Sequence, residues 1–183
     1  MPLPEIPGLI LFETPKFNDH RGYFFESFNL KNFEQKTGLK KEFVQDNISS
    51  SVKDVLRGLH LQVPPYSQAK LVRVIRGSVL DIVVDIRKNS PSYGNHYSVV
   101  LSEENNLSLY IPEGFAHGFT SLEDNSVFCY KCTNYYSKEH ERTIQWNDDT
   151  LKINWGTKNP LVSEKDNLGL PFASFDSPFV YGR

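Results

Sequence analysis

The pattern that most restricts this chain is alternation with a period of two. Short segments rich in Val, Ile, Phe and Tyr switch between apolar and polar positions and are separated by Gly, Pro, Asn, Asp and Ser. Successive side chains of a strand point to opposite faces, so such segments read as half-buried β-strands. The sequence predicts strands at 9–13, 22–28, 42–49, 55–62, 70–77, 78–87, 96–102, 107–112, 117–122, 126–134 and 142–147. Gly77 and Ser78 are expected to form a tight hairpin turn between two apolar strands. One helix is expected in "NLKNFEQKTG", capped by Asn29 and stopped at Gly38.

Strands of this number must hide one face against another sheet. The expected class is therefore all-β (mainly β), a β-sandwich or jelly-roll barrel with a few short helices. At 183 residues the chain suits one domain, 1–183, with a looser C-terminal extension from about 150 that carries a short helix.

Charge removes several function classes. A formal net charge of -2 gives no field for wrapping nucleic acid or docking on anionic lipid. No run of apolar residues reaches the roughly 18 needed for a membrane span, and "MPLPEIPGLI" lacks the charged and apolar regions of a signal peptide. A cytoplasmic location is expected. Cys129 and Cys132 form a nominal C-x-x-C, but strand alternation places them on opposite faces and no second pair completes a zinc site. Two semi-buried thiols are expected.

Four places carry more polar chemistry than a plain sandwich needs. In "DHRGYFFESF", Arg21 precedes an aromatic strand bearing Glu26; alone this reads as the charged face of an edge strand. In "FVQDN", Gln45, Asp46 and Asn47 put consecutive polar groups into a strand. In "VLRGLHLQ", alternation places Leu56, His60 and Gln62 on one face. Gly58 is expected to bend the backbone so that Arg57 and His60 both approach a ligand, although a lone strand histidine is more often structural. Lys70 then shares a face with Val72 and Val74, and an inward lysine requires a partner or a ligand. In "SVFCYKCTNYY", Tyr130 shares a face with Phe128 and Cys132, where a tyrosine is either core or a proton donor.

Pro112, Gly114 and His117 in "PEGFAH" resemble the second metal motif of cupins, the jelly-roll superfamily. The first cupin motif requires two histidines separated by one residue and a nearby Glu, and the matching stretch reads His60, Leu61, Gln62. Glutamine is a poor substitute for imidazole in a transition-metal site, so no catalytic metal is expected.

Taken in order, "RGYFFESF", "FVQDN", "VLRGLHLQ", "KLVRVIRGSVLDIVVDIR", "IPEGFAHGF" and "YKCTNYY" resemble the dTDP-4-dehydrorhamnose 3,5-epimerase family, from about Ile6 to Asp166. The resemblance implies a cupin-type jelly roll, a homodimer and a dTDP-linked 4-keto-6-deoxy sugar epimerised with no metal or organic cofactor. It implies His60 as base, Asp166 as its partner, Lys70 as stabiliser of the enolate oxygen and Tyr130 as proton donor on the opposite face. Arg21, Glu26, Gln45, Asn47, Arg57, His117, Glu141 and Lys165 are implied in substrate binding, and Tyr136 in packing near sugar or nucleotide. By similarity, Arg21 and Glu26 reach across the dimer into the partner's site. Relatives of this kind include 3-epimerases, 5-epimerases and 3,4-ketoisomerases. A non-catalytic sugar-nucleotide-binding cupin and a metal-dependent cupin oxygenase or isomerase are the rival readings from other classes.

Overall fold

Alternation along the chain is resolved into two facing sheets in the computed structural model, which describes residues 6–182. The strands are β1 (Ile10–Glu13), β2 (Phe17–Asp19), β3 (Gly22–Phe24), β4 (Gln45–Ser51), β5 (Val55–Gln62), β6 (Lys70–Arg76), β7 (Ser78–Asp85), β8 (His96–Ser102), β9 (Leu107–Ile111), β10 (Phe115–Ser121), β11 (Ser126–Cys132), β12 (Glu141–Thr143) and β13 (Leu161–Val162). Two α-helices, α1 (Leu30–Thr37) and α2 (Glu164–Asn167), accompany them. One sheet has the order β1-β9-β6-β11-β4 and the other β12-β5-β10-β7-β8, with β13 added parallel to β5. The expected mainly-β sandwich is what forms.

The inner core lies between the sheets. Val72, Val74, Leu109, Ile111 and Phe128 from the first sheet meet Val79, Val83, Leu101, Phe115 and Phe119 from the second. Removing this apolar area from water is the main force holding the layers together. The outer face of the first sheet, with Ile10, Leu71 and Tyr110, is covered by Phe33 of α1. The outer face of the second, with Leu56, Leu59, Ile82 and Val84, is covered by Ile144, Leu151, Trp155, Phe172 and Phe175. The segment beyond 150 thus runs an irregular path, yet Leu151, Trp155, Phe172 and Phe175 are buried against β5, β7 and β10, while Leu161, Leu168 and Leu170 stay exposed.

One turn differs from expectation. Gly77 and Ser78 do not close a hairpin, because β6 pairs with β9 and β11 while β7 pairs with β8 and β10. The chain crosses there from one sheet to the other, with Gly77 at φ +72. The strand expected over 22–28 is likewise reduced to Gly22–Phe24, paired only with β2 in an exposed hairpin. At the end of β7, buried Asp85 accepts from Arg87 Nη2 at 2.7 Å and from the hydroxyls of Ser90 and Ser92. Arg87 Nη2 also donates to the Pro7 carbonyl at 2.7 Å, and the guanidinium stacks between Phe115 and Tyr181.

Candidate active site

Strict alternation along β5 would turn Arg57 away from His60. The pairing with β10 shows how both reach the same cavity: His117 faces His60 and Phe119 faces Arg57, so two residues of β5, Gly58 and Leu59, oppose the single Gly118. This bulge shifts the alternation by one residue. Leu56, Leu59 and Leu61 then fill the outer core, whereas Arg57 and His60 line the cavity. Leu56 therefore does not share His60's face, as unbroken alternation had required. Only glycine suits position 58, where φ is +143 and a Cβ would lie 2.6 Å from the Gly118 Cα.

His60 Nε2 lies 2.5 Å from Asp166 Oδ1. Asp166 is placed by α2, whose cap Ser163 accepts from the Asp166 N–H at 3.2 Å, and β13 fastens this turn to β5. Burial pushes the Asp166 carboxyl up, but hydrogen bonds from His60, the Gly58 N–H and Ser163 hold it below the ordinary carboxylate range. An ionised Asp166 keeps a proton on Nε2 and leaves the lone pair on Nδ1.

The facing sheet supplies different groups. Lys70 opens β6 on the inward face of Val72 and Val74, and among the described residues its ammonium makes no hydrogen bond or ion pair. Burial lowers its pKa, partly offset by attraction to Cys132, Glu141 and Asp81. The Tyr130 ring centroid lies 5.9 Å from Lys70 Nζ. Burial raises the Tyr130 phenol, so it stays protonated at neutral pH. His60 on one sheet thus faces Tyr130 and Lys70 on the other.

Around them runs a polar wall. Glu141 accepts from Lys165 Nζ at 2.5 Å and from the Tyr136 hydroxyl at 2.9 Å. Burial raises its carboxyl, and these two bonds bring it below the usual range. Gln45 donates to Asn47 Oδ1 at 3.0 Å, and Arg57 Nε donates to Ser51 Oγ at 3.3 Å. His117 Nε2 lies 2.9 Å from Asp81 Oδ2. Two adjoining lobes, about 320 and 240 Å³, share His60, Lys70, Tyr130 and Glu141 as walls.

Every residue that the resemblance implies in catalysis or binding borders these lobes except Arg21 and Glu26. Arg21 pairs with Asp19 at 2.5 Å on the exposed β2–β3 hairpin, and Glu26 accepts from Asn29 and Asn32 at the start of α1. Two further residues carry no mark from the sequence reading. Asp81 braces His117, and its available signal is a carboxylate on the inward face of β7 between Val79 and Val83. Ser49 lines the cavity with a buried hydroxyl that has no hydrogen-bond partner among the described residues. Cys129 and Cys132 are free thiols, the second buried. Among the described residues, no three His, Cys, Asp or Glu side chains group as a metal site, and no helix is long and apolar enough to cross a membrane.

A protein-family model described as dTDP-4-dehydrorhamnose 3,5-epimerase matches residues 4–174. A curated dTDP-4-dehydrorhamnose 3,5-epimerase of Shigella flexneri is 54% identical over 172 residues, covering 94% of this chain and 95% of the relative. The crystal structure of the enzyme of that name from Elizabethkingia anophelis NUHP1 is 46% identical, with TM-score 0.87, over 94% of this chain and 95% of that one. A dTDP-6-deoxy-D-glucose-3,5-epimerase from Legionella pneumophila Philadelphia 1, solved with dTDP-4-keto-L-rhamnose, is 42% identical, with TM-score 0.91, over 96% and 93% of the two chains. A family match over nearly the whole length, a shared jelly-roll sandwich and relatives at this identity have one meaning: the chain belongs to the dTDP-4-dehydrorhamnose 3,5-epimerase family.

Proposed function

We propose that this chain is an isomerase that inverts C3 and C5 of dTDP-4-dehydro-6-deoxy-D-glucose, giving dTDP-4-dehydro-L-rhamnose for dTDP-L-rhamnose formation. The observation that carries this reading is the placement of a carboxylate-held imidazole and a protonated, half-buried phenol on facing walls of one cavity. Both reacting carbons flank the C4 ketone. His60 Nδ1 takes a proton from C3 or C5, and the bonding pair moves into the enolate, whose charge gathers on the C4 oxygen. Lys70, whose ammonium makes no hydrogen bond or ion pair among the described residues, stabilises that oxygen electrostatically. Tyr130 returns a proton to the opposite face, and the resulting phenolate and imidazolium exchange protons through solvent to reset the site. No metal or organic cofactor enters these steps, so activity should survive exhaustive dialysis against a chelator.

Arg57 and Lys165 suit the diphosphate, since guanidinium forks and ammonium groups donate to phosphate oxygens. Gln45, Asn47, His117 and Glu141 serve the sugar and nucleotide, with Tyr136 packed near them. A second copy supplies Arg21 and Glu26; Phe17 and Phe24 beside them are 62% and 66% exposed, an apolar surface that a partner would cover. A homodimer by sedimentation, with weaker dTDP binding in Arg21→Ala, is expected; a monomer with unchanged affinity would remove this part of the reading. The two free thiols accord with a reducing cytoplasm.

Turnover in D₂O tests the chemistry. Solvent deuterium is expected at both C3 and C5. His60→Asn should lose exchange and inversion together by about 10²–10⁴-fold, the usual range for acid/base groups. Tyr130→Phe should keep exchange through His60 yet accumulate little inverted product. Label at one centre alone would make the chain a mono-epimerase, and a migrated keto group a ketoisomerase. Tight binding without label would indicate a binding module.

A further inference from the structure

Beyond Cys132 the chain leaves β11 and forms part of the site's rim before the next helical turn begins at Lys138. The Thr133 N–H still donates to the Ala69 main-chain carbonyl at 3.1 Å, but three amides after it turn to side chains. The N–H groups of Tyr135, Tyr136 and Ser137 donate to three side-chain amide oxygens: Asn134 Oδ1 at 2.9 Å, Gln45 Oε1 at 2.9 Å and Gln62 Oε1 at 2.5 Å. The carbonyls of Asn134 and Tyr135 accept from Gln68 Nε2 at 2.7 Å and Gln62 Nε2 at 3.1 Å. Carboxamides suit this task because each can donate and accept at once.

Gln62 grips both this segment and the facing loop, residues 63–69, from the end of β5, whereas Asn134 and Gln68 join the two from within the loops themselves. Gln62 Nε2 donates to the Tyr66 carbonyl at 2.9 Å as well as to Tyr135, while Oε1 accepts from Ser137. The side chain is 5% exposed, so an unmade bond there is not replaced by bulk water. The segment it holds carries Tyr136, whose hydroxyl reaches Glu141 and through it Lys165. Gln62 itself makes no hydrogen bond to His60, Lys70 or Tyr130.

We propose that Gln62 is a positioning residue for the substrate-binding rim, acting through residues 135–137 on Tyr136, and that it sets KM rather than kcat. The assignment rests on the epimerase reading for its assay. Gln62→Glu keeps the length of the side chain but removes both donors and turns an acceptor toward two carbonyls. KM for dTDP-4-dehydro-6-deoxy-D-glucose should rise about 3- to 10-fold, equivalent to one or two net hydrogen bonds, with kcat held within about threefold.

A double-mutant cycle with Tyr136→Ala separates this role from a general weakening of β5. Without the Tyr136 side chain the rim has little left to position, so the KM penalty of Gln62→Glu should shrink to less than about twofold. A kcat loss at unchanged KM, or a penalty that persists in full in the double variant, would overturn the proposal. If Gln62→Glu fails to fold, Gln68→Ala carries the test from outside β5. A KM rise at constant kcat supports the rim assignment, and no change in KM overturns it. Lack of turnover by the unmodified chain would sink the epimerase reading alone. Calorimetric affinity for dTDP then replaces KM, and an unchanged affinity in Gln62→Glu overturns the positioning role.

Discussion

A single methyl group added at Gly58 would test how the site is built. The Cβ of Gly58→Ala would meet the Gly118 Cα at 2.6 Å and the His117 carbonyl at 3.1 Å, both main chain and unable to swing aside. With the added strain of a positive φ, the change should cost roughly 2–4 kcal/mol, read from the urea midpoint, and should lower turnover by disturbing the bulge that aims Arg57 and His60. Residue by residue, the site was legible to different depths. Lys70 could be turned inward by counting from Val72 and Val74, because β6 is regular around it. Arg57 and His60 needed the bend at Gly58, which their odd spacing suggests but whose register only the pairing with β10 fixes. The Asp166 contact spans 106 positions, and local spacing carries no sign of it; the family resemblance was what pointed there. Asp81 remained unmarked because an acidic residue in a strand is ordinarily assigned to the solvent face.

Elements whose boundaries depend on local chemistry were read most closely. Asn29 Oδ1 accepts from the Asn32 N–H at 3.1 Å, and Gly38, at φ +72, donates its N–H to the Glu34 carbonyl at 2.8 Å, so α1 begins and ends where its caps require. Gly38→Ala meets no atom within 4 Å and suffers only the left-handed conformation. It should cost about 1–2 kcal/mol in thermal or urea unfolding and leave kcat unchanged, because α1 packs on the outer face of the first sheet. The Gly77–Ser78 link was misread for a physical reason. A tight turn can return a strand to its neighbour or send it to another sheet, and the dipeptide is the same in both. Pairing partners decide, and here both flanks of β6 and both flanks of β7 are occupied by other strands.

The whole molecule should be sensitive to acid through its buried carboxylates. Asp85 is pushed up by burial but held below the ordinary range by Arg87, Ser90 and Ser92, and Asp166 is lowered through its own partners. Lowered folded pKa values mean that the unfolded chain takes up these protons first as pH falls. The stability they provide is therefore full above about pH 4 and drains away as pH drops through the folded values. Asp85→Asn should cost about 3–5 kcal/mol at neutral pH by stranding Arg87, and should flatten the fall in urea midpoint below about pH 4. Arg87 itself touches the Pro7 carbonyl and the Tyr181 ring, while Lys88 and Val180 form a bridge alongside. In topological terms, the early and late segments of the described chain meet at one seam, where a single guanidinium touches both. Fraying there should be coupled across sequence: in Arg87→Ala, amide exchange at Leu9 and at Tyr181 should quicken together, so that two regions far apart in the chain open as a single unit.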